Sequence, residues 1–266
     1  MKIWTIANQK GGVGKTTTTV SLAGLLAQRG HSALMVDLDP QGSMSSYFRL
    51  DPDRLDPSVY SLFQARANKS PLPDLKALVR PTAFPGLHLM PASTALATLD
   101  RQLGAQDGMG LVIAQALAGL RDRFEYVFID CPPVLGILMV NALAACHHLI
   151  IPVQTEFLAL KGLERMLHTL QMVGKAKGVM PPYTIMPTMF DKRTRASIES
   201  LRALREQHGA RAWNGVVPLD TRFREASQAG APICFHQAGT RGGNAYEVLL
   251  ETLLDQEVET LQAAAP

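Results

Sequence analysis

Apolar residues recur along this chain in short continuous runs, separated by stretches with helical spacing, a pattern that predicts strands buried on both faces between covering helices. Ile3-Trp4-Thr5-Ile6-Ala7 is the first run and ends in a glycine-rich turn. Thr16 to Gln28 then carries a helical pattern through Val20, Ala23, Leu26 and Ala27, with Gly30 as the stop. Ala33-Leu34-Met35-Val36 is the next buried strand and delivers Asp37 and Asp39 at its C-terminal end. From Leu50 to Pro91 the chain changes character. Pro52, Pro57, Pro71, Pro73, Pro81, Pro85 and Pro91 break it into short helices and loops around one strand, Leu87-His88-Leu89-Met90.

The alternation resumes with a helix through Leu111 to Leu120 and the strand Tyr126-Val127-Phe128-Ile129, which hands the chain to Asp130. Leu149 to Val153 and Tyr183 to Met186 are further strands, followed by helices near Ala159 to Val173 and near Thr194 to His208. Gly215-Val216-Val217 and a helix from about Tyr246 to Leu261 complete the series, before a short alanine end at Ala263-Ala264-Ala265. The expected fold is α/β: a doubly wound, mostly parallel sheet with helices on both faces and ligands at the C-terminal strand ends. A length of 266 residues fits one domain spanning 1–266, with a variable proline-rich segment at about 50–91.

Composition narrows the class only a little. With 47% hydrophobic and 18% charged residues the chain has a full core and no disorder signature. No long apolar segment of the signal-peptide or membrane-spanning type is present near the N-terminus, so a cytoplasmic protein is expected. Cys131, Cys146 and Cys234 lack metal-ligand spacing and read as buried thiols. The net charge of +3 is uneven. Basic residues crowd between Lys192 and Arg224, whereas after Arg241 the chain carries Glu247, Glu251, Asp255, Glu257 and Glu259 and no lysine or arginine.

The sharpest chemistry lies in Gln9-Lys10-Gly11-Gly12-Val13-Gly14-Lys15-Thr16, which follows an expected strand and opens an expected helix. In that context a glycine-rich loop presents backbone N–H groups to phosphate, Lys15 supplies charge to the terminal phosphates, and the Thr16 hydroxyl faces magnesium. Val13 and Thr17 complete the candidate nucleotide contacts. The usual phosphate-loop pattern asks for glycine five residues before Gly14, where Gln9 stands, and a second lysine, Lys10, follows immediately.

This Lys-Gly-Gly-x-Gly-Lys-Thr segment resembles the deviant Walker A motif of the ParA/MinD superfamily of P-loop ATPases. The resemblance extends to Val36-Asp37-Leu38-Asp39-Pro40-Gln41-Gly42, similar to the family's switch I, and to Phe128-Ile129-Asp130-Cys131-Pro132-Pro133, similar to its Walker B and switch II element. It covers Met1 to about Gly42 and Tyr126 to about Leu254, closest to small Soj-type ParA proteins without an N-terminal DNA-binding domain.

The resemblance implies ATP and magnesium as cofactors, Lys10 reaching the nucleotide of a partner subunit, Asp39 activating the attacking water and Asp130 on the metal side with Thr16. Lys10, Lys15 and Asp39 are then the catalytic candidates. Pro218 and Asp220, in a late segment similar to the family's base-binding region, are the adenine candidates through backbone atoms, and Thr188 to Asp191 borders the same pocket. A homodimer when ATP is bound follows, with hydrolysis as a timer and a stimulating partner protein.

What the dimer touches is less sharply written. Arg193, Arg195, Arg202 and Arg205 lie on or near one helix and suggest nonspecific DNA binding, with a solvated basic helix as the alternative. Nucleoid or polar association would follow. Membrane attachment of the MinD type is disfavoured, because the acidic C-terminal segment would be repelled by anionic lipid. Two further readings stay open: an ATP-switched adaptor that positions a protein assembly such as a chemoreceptor array or flagellar apparatus, and an ATP-dependent synthetase with a small-molecule substrate.

Overall fold

Every strand run read from the sequence except Gly215-Val216-Val217 forms a strand of one sheet, and alternate residues of each strand supply two separate cores. The structure, a computed structural model, describes residues 1–99, 108–178 and 180–263. The C-terminal alanine run therefore lies almost wholly outside the described residues.

The strands are β1 (Lys2–Ile6), β2 (Ala33–Asp37), β3 (Arg80–Pro81), β4 (Leu87–Met90), β5 (Tyr126–Asp130), β6 (His148–Gln154) and β7 (Tyr183–Thr188). Their order is β3-β4-β2-β5-β1-β6-β7, parallel throughout except for the two-residue β3, which pairs antiparallel with β4. The sequence gives no period for so short an edge strand. The order reverses around β1, flanked by β5 and β6, so the loop after β1 sits at the crevice of a doubly wound sheet.

The face assignment follows from the period of two. Ile3, Leu34, Val36, Val127, Ile129, Leu149 and Ile151 point into one cluster, while Trp4, Ile6, Met35, Phe128 and Ile150 point into the other. The first cluster is closed by helices including Val59–Ala67, Val112–Ala118, Ile137–Ala145 and Phe157–Lys177. The second is closed by Lys15–Gln28 and Arg241–Ala263.

One strand expectation is corrected. Gly215-Val216-Val217 is not a strand: Val217 N–H donates to Pro187 O at 2.9 Å, and the pairing on either side of the run consists of isolated bridges, Ile185 with Ala212 and Phe190 with Pro218. Gly215 and Pro218 bound the run so closely that no ladder can extend. The helix Ile137–Ala145 is an element that the apolar pattern did not resolve, since a short, largely apolar run fits a buried helix as well as a strand. Its buried Asn141 marks the difference, donating to Met109 O and Ile137 O and accepting from Ile113 N–H. Helices also begin earlier than their apolar stripes, at Phe157 and at Arg241.

Candidate nucleotide-binding site

The loop between β1 and the helix Lys15–Gln28 turns through two left-handed glycines, Gly12 (φ 73°) and Gly14 (φ 91°), and Gly14 is the residue that opens the helix. L-residues adopt such angles rarely, so glycine is required at both. A Cβ placed on Gly11, Gly12 or Gly14 would meet nothing within 4 Å, which leaves the loop's inner face open. The helix N-terminus and the loop amides converge there, the arrangement that binds phosphate. Thr188 Oγ1 donates to Val13 O at 3.0 Å and ties the loop to the end of β7.

Lys15 is 7% exposed, and its Nζ donates to Lys10 O at 3.2 Å, so this ammonium stays inside the loop. Burial lowers its proton affinity, while Asp130, Cys131 and Asp39 pull the other way. Thr16 Oγ1 donates to Asp130 Oδ2 at 2.6 Å. Asp130 Oδ1 is buried and without a hydrogen-bond partner. Burial, reinforced by Asp37, pushes the Asp130 carboxyl up to about 8, against the hydrogen bond from Thr16 and the charge of Lys15.

Its neighbour Asp37 is pushed up to about 6, chiefly by burial, with the hydrogen bonds from Ser45 and Asp39 opposing. A hard divalent cation suits this set: one hydroxyl, one orphaned carboxylate oxygen and a second carboxylate on the adjoining strand. Among the described residues no three His, Cys, Asp or Glu form a metal cage. That is compatible with magnesium, which is commonly held by one or two protein oxygens with phosphate and water.

Asp39 is 9% exposed and sits in a tightly bonded turn. Its N–H donates to Asp37 Oδ1 at 3.1 Å, its Oδ1 accepts from Gln41 N–H at 3.0 Å, and its carbonyl accepts from Gly42 N–H at 2.8 Å. Ser45, which the sequence did not single out, locks this turn. Its N–H and Oγ both donate to Asp37 Oδ2 at 2.8 Å, and its Oγ accepts from Ala92 N–H at 2.9 Å. Lys10 is oriented differently from Lys15: its ammonium is ion-paired with Glu156, at the start of the helix Phe157–Lys177.

A cavity of about 250 Å³ continues from Gly14 and Thr17 between Thr188, Met189, Val217, Pro218, Leu219, Asp220, Phe223 and Tyr246. Pro218 and Asp220 both line it. The Asp220 carboxylate is occupied, accepting from Arg222 N–H and Gly242 N–H at 3.0 Å each. Met189 holds φ at 52°, a strained value for such a side chain and the kind that clusters at ligand sites. Tyr246, whose hydroxyl lies 2.8 Å from Thr18 Oγ1, closes the cavity and had no signal in the sequence beyond its place on a helix. A larger groove, about 420 Å³, lies around Met1, Ile3 and His147 at the other end of the strands, away from these groups.

The four arginines on and near the helix Arg195–His208 differ in their partners. Arg193 forms a two-pronged pair with Asp191, which holds that carboxyl down at about 2. Arg195 pairs with Glu199, and Arg205 donates to Asn214 O. Only Arg202 of the four lacks a partner among the described residues. No helix among them is long and apolar enough to cross a membrane.

Residues 1–179 match the family described as "AAA domain". The sporulation initiation inhibitor protein Soj of Bacillus subtilis is 34% identical over 246 residues, covering 92% of this chain and 95% of the relative. The chromosome partitioning protein ParA of Myxococcus xanthus is 34% identical over 259 residues, covering 96% and 89%. Cobyrinic acid a,c-diamide synthase from Mycobacterium smegmatis, solved with ADP and magnesium, superposes with a TM-score of 0.81 at 31% identity, covering 95% of this chain and 94% of that one. With this motif set, sheet and kinship, the chain belongs to the ParA/MinD superfamily of deviant-Walker P-loop ATPases and is an ATPase that uses ATP and magnesium.

Proposed function

We propose that the chain is a partition-type switch. Two subunits join when both hold ATP, the dimer binds DNA without sequence preference, and slow hydrolysis, hastened by a partner protein, ends each cycle and so positions or segregates a chromosome or plasmid. The placement of Lys10 carries this reading. Its carbonyl belongs to the phosphate loop and accepts the Lys15 ammonium, yet its own ammonium pairs outside the loop with Glu156. That charge is not committed to the subunit's own nucleotide and is available to a second subunit's. The Soj and ParA relatives, named for chromosome partition and sporulation control, fit the same reading.

Within each subunit the residues divide the work. The amides of Gly11, Gly12, Val13, Gly14, Thr16 and Thr17 and the Lys15 ammonium hold the phosphates, and the backbone at Pro218 and Asp220 receives adenine. Thr16 and Asp130 would hold magnesium, which when bound would neutralise charge on the phosphates. Asp39 orients the attacking water and accepts its proton. Loss of the terminal phosphate then removes the charge that Lys10 of the other subunit neutralises, and the dimer equilibrium shifts back. Residues 1–266 serve as one ATPase domain, with the segment from 50 to 91 as its variable part.

For DNA, the spatial arrangement favours a place beside the base cavity. Lys192, Arg193 and Arg241 line a groove of about 360 Å³ with Asp191 and Asp220, whose carboxylates are taken up by Arg193 and by backbone amides, and neither Lys192 nor Arg241 has a partner among the described residues. The test is binding of a nonspecific duplex with ATP and with ADP across a salt series, for the wild type, a Lys192/Arg241 neutralised variant and an Arg193/Arg195/Arg202/Arg205 neutralised variant. Binding that needs ATP, weakens steeply with salt and is lost on neutralisation is the expected result. ATP dimers that ignore DNA would overturn the partition reading in favour of a protein-positioning adaptor.

A further inference from the structure

The contact between Lys10 and Glu156 is supported from several directions. Asn8 Oδ1 accepts the Lys10 backbone N–H at 3.0 Å, and Asn8 Nδ2 donates to Pro152 O at 2.7 Å, lacing the loop to the end of β6. Gln9 Nε2 donates to Thr169 Oγ1 at 2.7 Å, on the helix that Glu156 precedes. Gly162, on the same helix, faces Lys10 so closely that a Cβ there would stand 3.6 Å from Lys10 Cβ. Glu156 itself is extended (φ −145°), its N–H bonded to Gln154 O at 2.8 Å. Loop, strand end and helix start together hold the Lys10 side chain against the first turns of Phe157–Lys177.

We infer that Glu156 is a positioning residue that holds Lys10 within its own subunit and competes with the terminal phosphates of a second subunit's ATP, so that it sets the concentration at which the dimer forms. The inference rests on the reading that Lys10 acts across the dimer. Magnitude supports a threshold rather than a block. The two side chains are 27% and 40% exposed, and ion pairs at that exposure are weak. A triphosphate carries more charge than one carboxylate and outcompetes it when presented in register. Lys10 thus has two alternative anions, and ATP on the opposing subunit biases the choice.

Glu156→Gln removes the charge at nearly constant size. Each dimer releases two such pairs, so sedimentation with ATP should give a dimer dissociation constant about two- to thirtyfold lower than wild type. A gain of association is not what structural damage produces. Glu156→Ala provides a second route if glutamine disturbs the helix start, with far-ultraviolet circular dichroism as the check on folding. The Lys10→Ala/Glu156→Gln double variant should show no gain, because the competition has lost its object. Unchanged or weaker dimerisation in both Glu156 variants overturns the inference. Lys10→Ala alone separates the two possible failures: if it still dimerises with ATP, the cross-subunit role of Lys10 falls and the latch with it. If it does not, while the Glu156 variants match wild type, only the latch falls.

Discussion

The phosphate end of the site and the basic stretch from Lys192 to Arg224 are both rich in charge, and the structure treats them in opposite ways. At the phosphate end Lys15, Asp37, Asp39 and Asp130 are buried, from separate segments, around an open loop. Two of the carboxyls are held far above their ordinary range. Along the basic stretch Arg193, Arg195 and Arg222 are satisfied by acids two to four residues away. Burying charge without a matched partner is costly, so a fold retains it where a ligand supplies the counter-charge. Exposed charge carries no such cost, and its clustering in sequence therefore says little about clustering in space.

The largest effect that tests this contrast is expected at Asp39. Asp39→Ala should lower kcat by about a hundredfold or more, as loss of a positioned base does, with ATP still bound. Phosphate-release kinetics beside fluorescent-nucleotide titration would separate the two quantities. A variant that hydrolyses ATP within a few-fold of wild type would mean that the buried turn is structural.

Next in size is Ser45→Ala. It removes one donor from Asp37 and leaves the Ala92 N–H without its acceptor, a stability loss of about 1–3 kcal/mol. Because Asp37 in turn holds the Asp39 N–H, kcat should fall roughly tenfold while ATP affinity changes little. Ser45→Thr, which keeps the hydroxyl, should restore part of the rate. Equal losses in both variants would assign Ser45 to packing alone.

The same contrast separates what was legible in the sequence from what was not. The phosphate loop is contiguous, and its glycine spacing carries its geometry, so Gly11 to Thr17 could be assigned from a short segment. The places of Asp39 and Asp130 were readable because each follows an apolar strand, although the roles given to them come from the resemblance. Ser45 and Glu156 were not, since their partners, Ala92 and Lys10, are brought near only by tertiary packing. The cavity beyond the loop joins Thr17, Met189, Pro218 and Tyr246, which lie on four segments, and no local pattern encodes that meeting. The arginine stretch is the complementary case: its charges stand close in sequence, yet along this helix they alternate with Glu199 and Glu206, and Arg195 pairs with Glu199.

A further effect concerns stability rather than rate. In the folded, metal-free protein Asp130 is raised to about 8 from an ordinary 3.8. A raised folded value means that the protonated group favours the folded state below its unfolded value, and that this contribution is lost as pH rises through about 8. In chelator, wild-type stability should therefore decline between about pH 4 and pH 8, with Asp37 adding to the same slope through about 6. Asp130→Asn should flatten that decline by on the order of a few kcal/mol and forfeit the stabilisation that magnesium with ATP gives. Urea midpoints across pH, with chelator and with magnesium and ATP, would show it. An unchanged slope would mean that the orphaned oxygen is hydrated rather than awaiting a cation.

The smallest effect is expected on the other side of the comparison. Arg195 is exposed and already paired with Glu199, so Arg195→Ala should leave the urea midpoint unchanged within error. If DNA runs along the groove at Lys192 and Arg241, the same change should alter the salt slope of binding by at most about one counterion, whereas neutralising those two residues should alter it by about two per subunit. A loss of binding on Arg195→Ala as large as that from the groove pair would show that local pairing does not remove a charge from use. The exposed ion pairs of this stretch would then exchange partners as readily as Lys10 is argued to do, and the contrast between the two regions would lie in burial alone rather than in what their charges serve.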